Sequence, residues 1–180
     1  MWKSEGSILY RLGSSFESKN EPFLINALDL DKTIINPQSP NIQSPWTWTY
    51  PNTVRRIKQI NDAGWHTVIF TNRADAKSDK MKQLTMNKID KVIQGLGFEP
   101  DVFVSTVKDS NRKPEIGMFE LYIKLRAKGY KNYAGYMIGD AEGELSPYPE
   151  YRWSDADKLF AEKTGLKFMR PVDYFTGTHK

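Results

Sequence analysis

An apolar segment at residues 23–28 ends abruptly in two aspartates, Asp29 and Asp31, with Thr33 close behind. An apolar run of this length is typical of a buried strand. Two carboxylates this close together raise each other's pKa unless a cation lies between them. The cation that suits a site made of oxygen atoms is a hard one such as Mg²⁺. The segment therefore predicts a metal-bound aspartate pair at the carboxyl end of a strand, and a solvated Asp-rich turn is the alternative.

Segments typical of strands and of helices alternate along the rest of the chain. We expect further strands at residues 65–70, 102–104, 133–138 and 167–169, and helices at 51–64, 78–95, 112–129, 154–163 and 171–175. This alternation predicts an α/β fold, with a doubly wound, mostly parallel sheet and helices on both faces. In such folds the chemistry gathers outside the carboxyl ends of the strands.

The flanking segments are less regular. Residues 1–20 could form a short hairpin on the domain edge, and residues 36–50 form either an irregular loop or a small hairpin. We expect Ser154 to cap the helix that follows it. A length of 180 residues fits one domain. We therefore divide the chain into an N-terminal edge segment at 1–22, a main domain at 23–176 and a tail at 177–180.

Composition narrows the possible functions. The chain has no cysteine, which excludes disulfides, thiolate catalysis and zinc–thiolate sites. Its net charge of +4 suggests an anionic partner only weakly. No apolar run approaches the roughly 20 residues of a membrane span, and the N-terminus does not look like a signal peptide. We expect a soluble, intracellular protein that does not bind membranes.

Polar clusters follow the predicted strands at matching places. Thr71 and Asn72 follow the second strand, and Asp140 follows the fourth. Arg112 and Lys113 precede the helix that leads into the fourth strand. Each cluster taken alone could be an ordinary turn or helix entry. Because the ends of parallel strands point the same way, their joint occurrence in this order predicts one pocket.

The inventory of that pocket fits phosphoryl transfer. Asp29 is the candidate nucleophile, and Asp31 is close enough to act first as general acid and then as general base. Thr71 and the amides beside it can hold phosphoryl oxygens, while Lys113 supplies positive charge in the transition state. Asp140, together with Asp29 and a backbone carbonyl, can complete a sparse Mg²⁺ site.

The order of these motifs resembles that of the haloacid dehalogenase superfamily phosphatases. It runs Asp-x-Asp-x-Thr, a strand ending in Thr-Asn, then Lys113, then Gly-Asp. Within that superfamily the chain is similar to the polynucleotide kinase 3′-phosphatase family over residues 23–175. The matching segments are DLDKTII, VIFTN, RKPEIGMF, IGDAEG and SDADKLFAEKTGLKF. The resemblance implies the haloacid dehalogenase-like Rossmannoid fold.

The resemblance also implies an activity, which is removal of 3′-phosphates from DNA ends with Mg²⁺ through an aspartyl-phosphate, in DNA end repair. Nucleic acid with 3′-phosphate ends is then the expected partner, and we expect a monomer. No Gly-x-x-x-x-Gly-Lys-Ser/Thr motif occurs, so no kinase domain is expected in this chain. The implied roles are catalysis by Asp29 and Asp31, phosphate contact by Thr71, Asn72 and Lys113, and metal binding by Asp29, Asp31 and Asp140.

The sequence departs from the family pattern at three positions. Lys32 stands where glycine is usual, Arg73 stands where glutamine is usual, and Glu144 replaces a basic residue. These departures leave the catalytic inventory intact and affect the expected contacts with substrate.

Access to the site favours a large substrate. The segment at residues 34–50 is too short for a large cap domain, so we expect a minimal cap and an open site. Two aromatic loops could flank the mouth and stack on bases, or their aromatics could instead pack on each other as a loop core. The first loop contains Trp46, Trp48 and Tyr50, and the second contains Tyr148, Tyr151 and Trp153. Arg73 and Arg112 are further candidate contacts to nucleic acid.

Three other features have ordinary explanations. The lysines at residues 77–91 are expected to form a solvated helix face, with a DNA track as the alternative. His66 and His179 are expected to be a structural residue and a tail residue.

Two other functions stay open. One is a small-molecule phosphatase of the same superfamily, acting on histidinol phosphate or a sugar phosphate, and the other is a non-catalytic nucleic-acid-binding module.

Overall fold

The computed structural model describes residues 1–14 and 21–177. Its strands are β1 (Trp2–Glu5), β2 (Ile8–Arg11), β3 (Phe23–Leu28), β4 (Ile35–Pro37), β5 (Trp46–Trp48), β6 (His66–Asn72), β7 (Asp101–Ser105), β8 (Tyr133–Ile138) and β9 (Lys167–Met169). Its α-helices are α1 (Thr53–Asp62), α2 (Asp79–Leu96), α3 (Gly117–Arg126), α4 (Ala156–Thr164) and α5 (Pro171–Thr176), and Pro149–Tyr151 forms a 3₁₀ turn. The chain ranges predicted for strands and helices are largely confirmed. No helix in the described ranges has the length and apolar character needed to cross a membrane.

Seven of these strands form one sheet in the order β1-β2-β7-β6-β3-β8-β9. The five strands from β7 to β9 run parallel, and the β1–β2 hairpin adds to the β7 edge in antiparallel fashion. Leu28, at the end of β3, pairs with Ile69 on one side and with Ile138 on the other. The segments that follow β3, β6 and β8 therefore leave the sheet at the same edge, as predicted.

Each face of the sheet carries its own buried core. On one face, Phe70 packs against Tyr122 of α3 and Phe160 of α4. On the other face, Ile57 of α1 and Val92 of α2 belong to the second core cluster, together with residues of α5. Fully burying one such side chain stabilises the fold by roughly 1.5–3 kcal/mol. Helices on both faces confirm the predicted architecture.

The segment between β3 and α1 folds as a small hairpin of β4 and β5. Its two tryptophans pack edge to face, with ring centroids 5.0 Å apart, and both rest against the core. A Cβ atom at Gly95 would lie 2.7 Å from the ring of Trp48, so α2 needs a glycine where that ring crosses it. The alternative in which Trp46 and Trp48 form a loop core is the one that the structure supports.

Two predicted helix starts are wrong. The third helix was expected from Arg112, but α3 begins at Gly117. Lys113 precedes a proline, and a residue in that position is disfavoured in helical conformation, so the segment forms turns instead. Ser154 is not the cap of α4, which has Asp155 at that position; the Ser154 hydroxyl accepts a hydrogen bond from the amide of Ala156 at 3.2 Å.

His66 is a structural residue, as expected. Its Nδ1 lies 2.6 Å from the Tyr122 hydroxyl and its Nε2 lies 3.4 Å from Asp101, which also pairs with Arg126. Burial lowers the pKa of His66 to about 4, against an opposing effect of Asp101. His179 lies outside the described residues. The boundaries of the predicted edge segment and tail stay predictions, because residues 15–20 and 178–180 are outside the described ranges.

Candidate active site

Three carboxylates meet at the carboxyl edge of the sheet. Asp29 directly follows β3, Asp140 follows β8 by one glycine, and Asp157 lies in the first turn of α4. One oxygen atom from each lies within 4.8 Å of the others. The amide of Asp29 still donates to the carbonyl of Ile138 at 2.8 Å, which fixes the first carboxylate to the neighbouring strand. Asp29 and Asp157 line a cavity of about 460 Å³, and Asp140 directly precedes Ala141, which also lines it.

A buried lysine lies against two of these carboxylates. Lys113 Nζ donates to Asp29 Oδ1 at 2.8 Å and to Asp157 Oδ1 at 2.7 Å. The side-chain amide of Asn72 forms two hydrogen bonds with the backbone of Lys113. It donates to the carbonyl and accepts from the N–H, each at 3.0 Å. Asn72 thereby holds Lys113 in place, and its predicted contact with phosphate stays a prediction.

Negative charge and burial together shift the pKa values of the site. Burial raises the pKa of Asp29 well above its ordinary value; Lys113 opposes this, while Asp157 and Asp140 add to it. Burial, followed by the nearby charge of Asp157, raises the pKa of Asp140 to about 6. Burial alone would lower the pKa of Lys113, but Asp157 and Asp29 raise it on balance. The site is thus an anionic pocket in which one lysine faces several carboxylates.

The donor set fits a hard metal ion. Asp140 Oδ1 is buried and has no hydrogen-bond partner among the described residues, whereas Asp140 Oδ2 accepts a bond from Trp153 Nε1 at 2.8 Å. Both oxygens of Asp157 are already engaged, one by Lys113 and one by the amide of Ala141 at 3.1 Å. Asp29 and Asp140 are therefore the better direct ligands. Carboxylate oxygens with free lone pairs are what Mg²⁺ requires.

The sequence interpretation did not assign Asp157 to the site. A Cβ atom at Gly139 would lie 2.2 Å from Asp157 Oδ2, so the glycine of the Gly-Asp pair is there to let this carboxylate approach. The signal that could have found Asp157 is the Ser-x-x-Asp spacing that starts at Ser154, inside the segment SDADKLFAEKTGLKF that contributes to the family resemblance.

Asp31 lies beside this cluster with partners of its own. Its Oδ2 accepts from Arg73 Nη1 at 3.1 Å, and its Oδ1 accepts from Lys88 Nζ at 3.4 Å. Lys88 is buried, so the expectation that it belongs to a solvated face is wrong for this lysine. The Asp31 carboxylate does not belong to the cluster that could hold a metal, and a metal contact through Asp31 stays a prediction.

All three predicted phosphate contacts, Thr71, Asn72 and Lys113, line the cavity. Arg112, a predicted contact to nucleic acid, lines it too. Trp153 lines it too, 62% exposed, with Lys32 Nζ lying 5.2 Å from its ring centroid. Trp46, Trp48 and Arg73 are not among the lining residues. Of the two aromatic loops expected at the mouth, the second contributes Trp153 to the wall of the cavity, and the first contributes no lining residue.

Comparison with known sequences gives a consistent set of relatives. Residues 24–175 match the family model described as polynucleotide kinase 3 phosphatase. An uncharacterized 20.8 kDa protein of Autographa californica nuclear polyhedrosis virus is 28% identical over 178 residues, covering 97% of this chain and 96% of the viral protein.

Two named enzymes are also similar. The bifunctional polynucleotide phosphatase/kinase of Schizosaccharomyces pombe is 28% identical over 156 residues, and the polynucleotide 3′-phosphatase ZDP of Arabidopsis thaliana is 25% identical over 192 residues. These alignments cover 84% and 97% of this chain. The chain spans 37% and 27% of the lengths of these two relatives.

Two solved structures share the fold. A Mesorhizobium loti protein described as an HAD-like phosphatase superposes with a TM-score of 0.65 at 19% identity, covering 91% of this chain and 78% of that one. The D,D-heptose 1,7-bisphosphate phosphatase of B. bronchiseptica, complexed with magnesium and phosphate, gives a TM-score of 0.54 at 17% identity, covering 81% of this chain and 92% of that one. At these identities the likeness establishes the fold.

Proposed function

Because the chain belongs to the polynucleotide kinase 3 phosphatase family, we propose that it removes 3′-phosphate groups from DNA ends, with Mg²⁺ and through an aspartyl-phosphate on Asp29, in DNA end repair. The observation that carries the proposal is the contact between Asp29 and Lys113 at 2.8 Å, in a cavity also lined by Thr71 and Arg112. This arrangement offers a nucleophile and several donors to one phosphoryl group.

The enzyme class predicted from the sequence is confirmed, since the chain is a phosphatase of the haloacid dehalogenase superfamily. What remains proposed is the substrate, the metal and the course of the reaction.

The chain's own residues supply each step of that course. Asp29 Oδ attacks phosphorus, and the bond to the 3′-oxygen breaks while Asp31 gives that oxygen a proton. A water then attacks the phosphorus of the aspartyl-phosphate and passes its proton to Asp31, which frees inorganic phosphate and restores Asp29. Lys113, fixed between Asp29 and Asp157, stabilises negative charge on the phosphoryl oxygens as the bonds change.

The proposed ligands of Mg²⁺ are the carboxylates of Asp29 and Asp140. Mg²⁺ held by Asp29 and Asp140 would reduce the repulsion between the Asp29 carboxylate and the phosphate dianion. Burial raises the pKa values of Asp29 and Asp140, and neighbouring carboxylates raise them further, so a cation held between these two groups would stabilise their ionised forms. The magnesium found in the heptose bisphosphate phosphatase belongs to a protein of the same fold.

The mouth of the cavity is suited to a nucleic-acid end. Trp153 exposes an aromatic face there, on which a terminal base can stack. Arg112 lines the same cavity, and its Nη1 is buried without a hydrogen-bond partner in the described part of the chain. Among the candidate aromatics, Trp153 is therefore the proposed base contact, because Trp46 and Trp48 pack on the core, and Arg112 stays a candidate contact to nucleic acid.

The substrate is tested by comparing a 3′-phosphorylated DNA oligonucleotide with histidinol phosphate and a sugar phosphate, at equal concentrations and with Mg²⁺ present. The proposal expects phosphate release from the oligonucleotide to exceed release from both small molecules. If a small phosphate turns over faster, the chain is a small-molecule phosphatase. If none of the three turns over while the oligonucleotide binds, the chain is a binding module.

A further inference from the structure

The carboxylate of Asp31 is held by two cations from the protein interior. Arg73 donates to one of its oxygens and Lys88 to the other, at 3.1 and 3.4 Å. Arg73 is 8% exposed and Lys88 is 7% exposed, and neither is among the residues that line the cavity. The Asp31 side chain is 27% exposed and does line it. The two cations therefore reach Asp31 from behind and are not placed to touch a substrate.

Arg73 is itself held by the elements around it. It directly follows β6, and its amide donates to the carbonyl of Ser105 at 2.7 Å. Its Nη2 donates to Asp75 Oδ2 at 2.7 Å, while its Nη1 faces Asp31. With its backbone and one side of its guanidinium fixed, Arg73 presents a donor in a defined direction.

Lys88 occupies a costly position for a lysine. It lies in α2 on the side that faces the core, next to the fully buried Ile89 and three residues after the buried Thr85. Burying an ammonium group is unfavourable unless it is paired. Asp31 is the anionic partner that the structure gives it. The helix therefore buries a charge at the one place where it meets the carboxylate of Asp31.

The two candidate catalytic aspartates form ion pairs with different cationic side chains. Asp29 pairs with Lys113, and Asp31 pairs with Arg73 and Lys88. A group that gives and takes protons must lie within about 3 Å of the reacting oxygen. A displacement of about 1 Å can cost on the order of 100-fold in rate. Fixed donors on both oxygens would restrict such displacement.

We propose that Arg73 and Lys88 are positioning residues, which hold the Asp31 carboxylate in the orientation from which it protonates the leaving oxygen and later accepts a proton from water. This inference rests on the proposed aspartyl-phosphate reaction. It assigns no contact with substrate to either cation, so their effect passes through Asp31 alone.

The test compares two small substrates that differ in their need for a proton, phenyl phosphate with a poor leaving group and p-nitrophenyl phosphate with a good one. Lys88→Met and Arg73→Gln should each lower kcat for phenyl phosphate by about 10- to 100-fold, and lower it far less for p-nitrophenyl phosphate, with KM nearly unchanged. Lys88→Arg, which keeps a cation, should retain more activity than Lys88→Met. Lys91→Met removes an exposed lysine from the same helix and should leave both rates as they are.

A double-mutant cycle separates positioning from general support of the fold. In an Asp31→Asn background, Lys88→Met should cause no further loss, because the group that it positions has no proton to transfer. Equal losses on both substrates, or a loss that adds fully to that of Asp31→Asn, would overturn the proposal. If Lys88→Met does not fold, as judged by circular dichroism, Arg73→Gln decides the question with the same substrates and the same background.

The outcome is independent of the natural substrate. If the wild-type protein hydrolyses the aryl phosphates and leaves a 3′-phosphorylated oligonucleotide intact, the proposed substrate is wrong. The leaving-group comparison then still supports or overturns the positioning role. If a chelator and Asp29→Asn leave aryl phosphate hydrolysis unchanged, the aspartyl-phosphate reaction fails and this inference fails with it.

Discussion

Lys113 Nζ lies 2.8 Å from Asp29 Oδ1, and both residues are buried at the carboxyl edge of the sheet. The pair joins two segments that are 84 residues apart in the chain. It places a lysine that also pairs with Asp157 of the carboxylate cluster directly on the candidate nucleophile. Most of what the site can do follows from this contact.

Lys113→Met should weaken both catalysis and folding. Loss of the charge is expected to lower kcat by about 10²–10³-fold, more than it raises KM, because the charge acts on the transition state. Removing one partner of a buried ion pair should also cost about 3–5 kcal/mol in the free energy of unfolding. Steady-state kinetics and urea unfolding measure the two effects.

The matched control is Lys163→Met, which breaks an exposed pair with Glu115 and should change neither quantity appreciably. A pure KM effect of Lys113→Met would make Lys113 a binding residue and not a stabiliser of the transition state.

Asp140→Asn should weaken metal binding. Its Oδ1 is buried without a partner in the described structure, so we expect a loss larger than the roughly 10- to 100-fold seen when an outer partner of a metal ligand is removed. Mn²⁺ titration followed by electron paramagnetic resonance measures the affinity without turnover. Activity should partly return at high Mg²⁺. Asp155→Asn changes an exposed aspartate that lines the same cavity and lies outside the carboxylate cluster, so it is the control and should bind Mn²⁺ normally. Full activity in a chelator would refute the metal site.

Trp153→Ala should weaken binding of a 3′-phosphorylated oligonucleotide by about 1–3 kcal/mol, since loss of base stacking costs this much. Trp153→Phe keeps an aromatic face and should retain most of the affinity, although it loses the bond to Asp140. Fluorescence anisotropy with a labelled oligonucleotide measures both. Trp48→Ala serves as a contrast, because Trp48 packs on the core and its loss should lower stability and leave affinity unchanged. If Trp48→Ala weakens oligonucleotide binding and Trp153→Ala does not, the base contact lies at Trp48.

His66 should make the protein less stable as the pH falls from 7 to 5. Its pKa is about 4 in the folded protein and about 6.5 when unfolded, so the unfolded chain gains a proton first. The full contribution is present above pH 6.5 and is lost as the pH falls toward 4. Linkage gives a loss on the order of 2 kcal/mol between pH 7 and 5.

Urea unfolding at both pH values tests this, with His66→Gln as the variant that cannot titrate. The free energy of unfolding of the variant should depend less on pH over this interval. An equal dependence in the two proteins would show that other groups cause it.

The sequence was sufficient for features that local patterns determine. The pattern of apolar residues predicted each parallel strand of the described sheet, because apolar residues recur with different periods in buried strands and in amphipathic helices. Asp29, Lys113 and Asp140 could be chosen because they sit at strand ends or in a motif, and the structure brings them to one cavity or its edge.

The positions of several side chains depend on tertiary packing, which a local sequence pattern does not predict. Lys88 resembles the exposed lysines of its helix in sequence, and only the approach of α2 to Asp31 shows that it is buried. Trp48 and Trp153 both lie in irregular aromatic segments of the sequence. Their roles differ because the ring of Trp48 packs on Gly95 of α2, whereas Trp153 donates a hydrogen bond to Asp140. In the sequence Asp157 has the context of an ordinary first-turn aspartate, and only the packing of α4 against Gly139 shows that it belongs to the site.

The proposed 3′-phosphatase activity of Asp29 is tested with one DNA oligonucleotide sequence prepared with either a 3′-phosphate or a 5′-phosphate. Release of inorganic phosphate is measured with Mg²⁺ for the wild-type protein and for Asp29→Asn. We expect the wild type to release the 3′-phosphate far faster than the 5′-phosphate, and Asp29→Asn to release neither. Equal or faster release of the 5′-phosphate, or continued release by Asp29→Asn, would contradict the proposed activity.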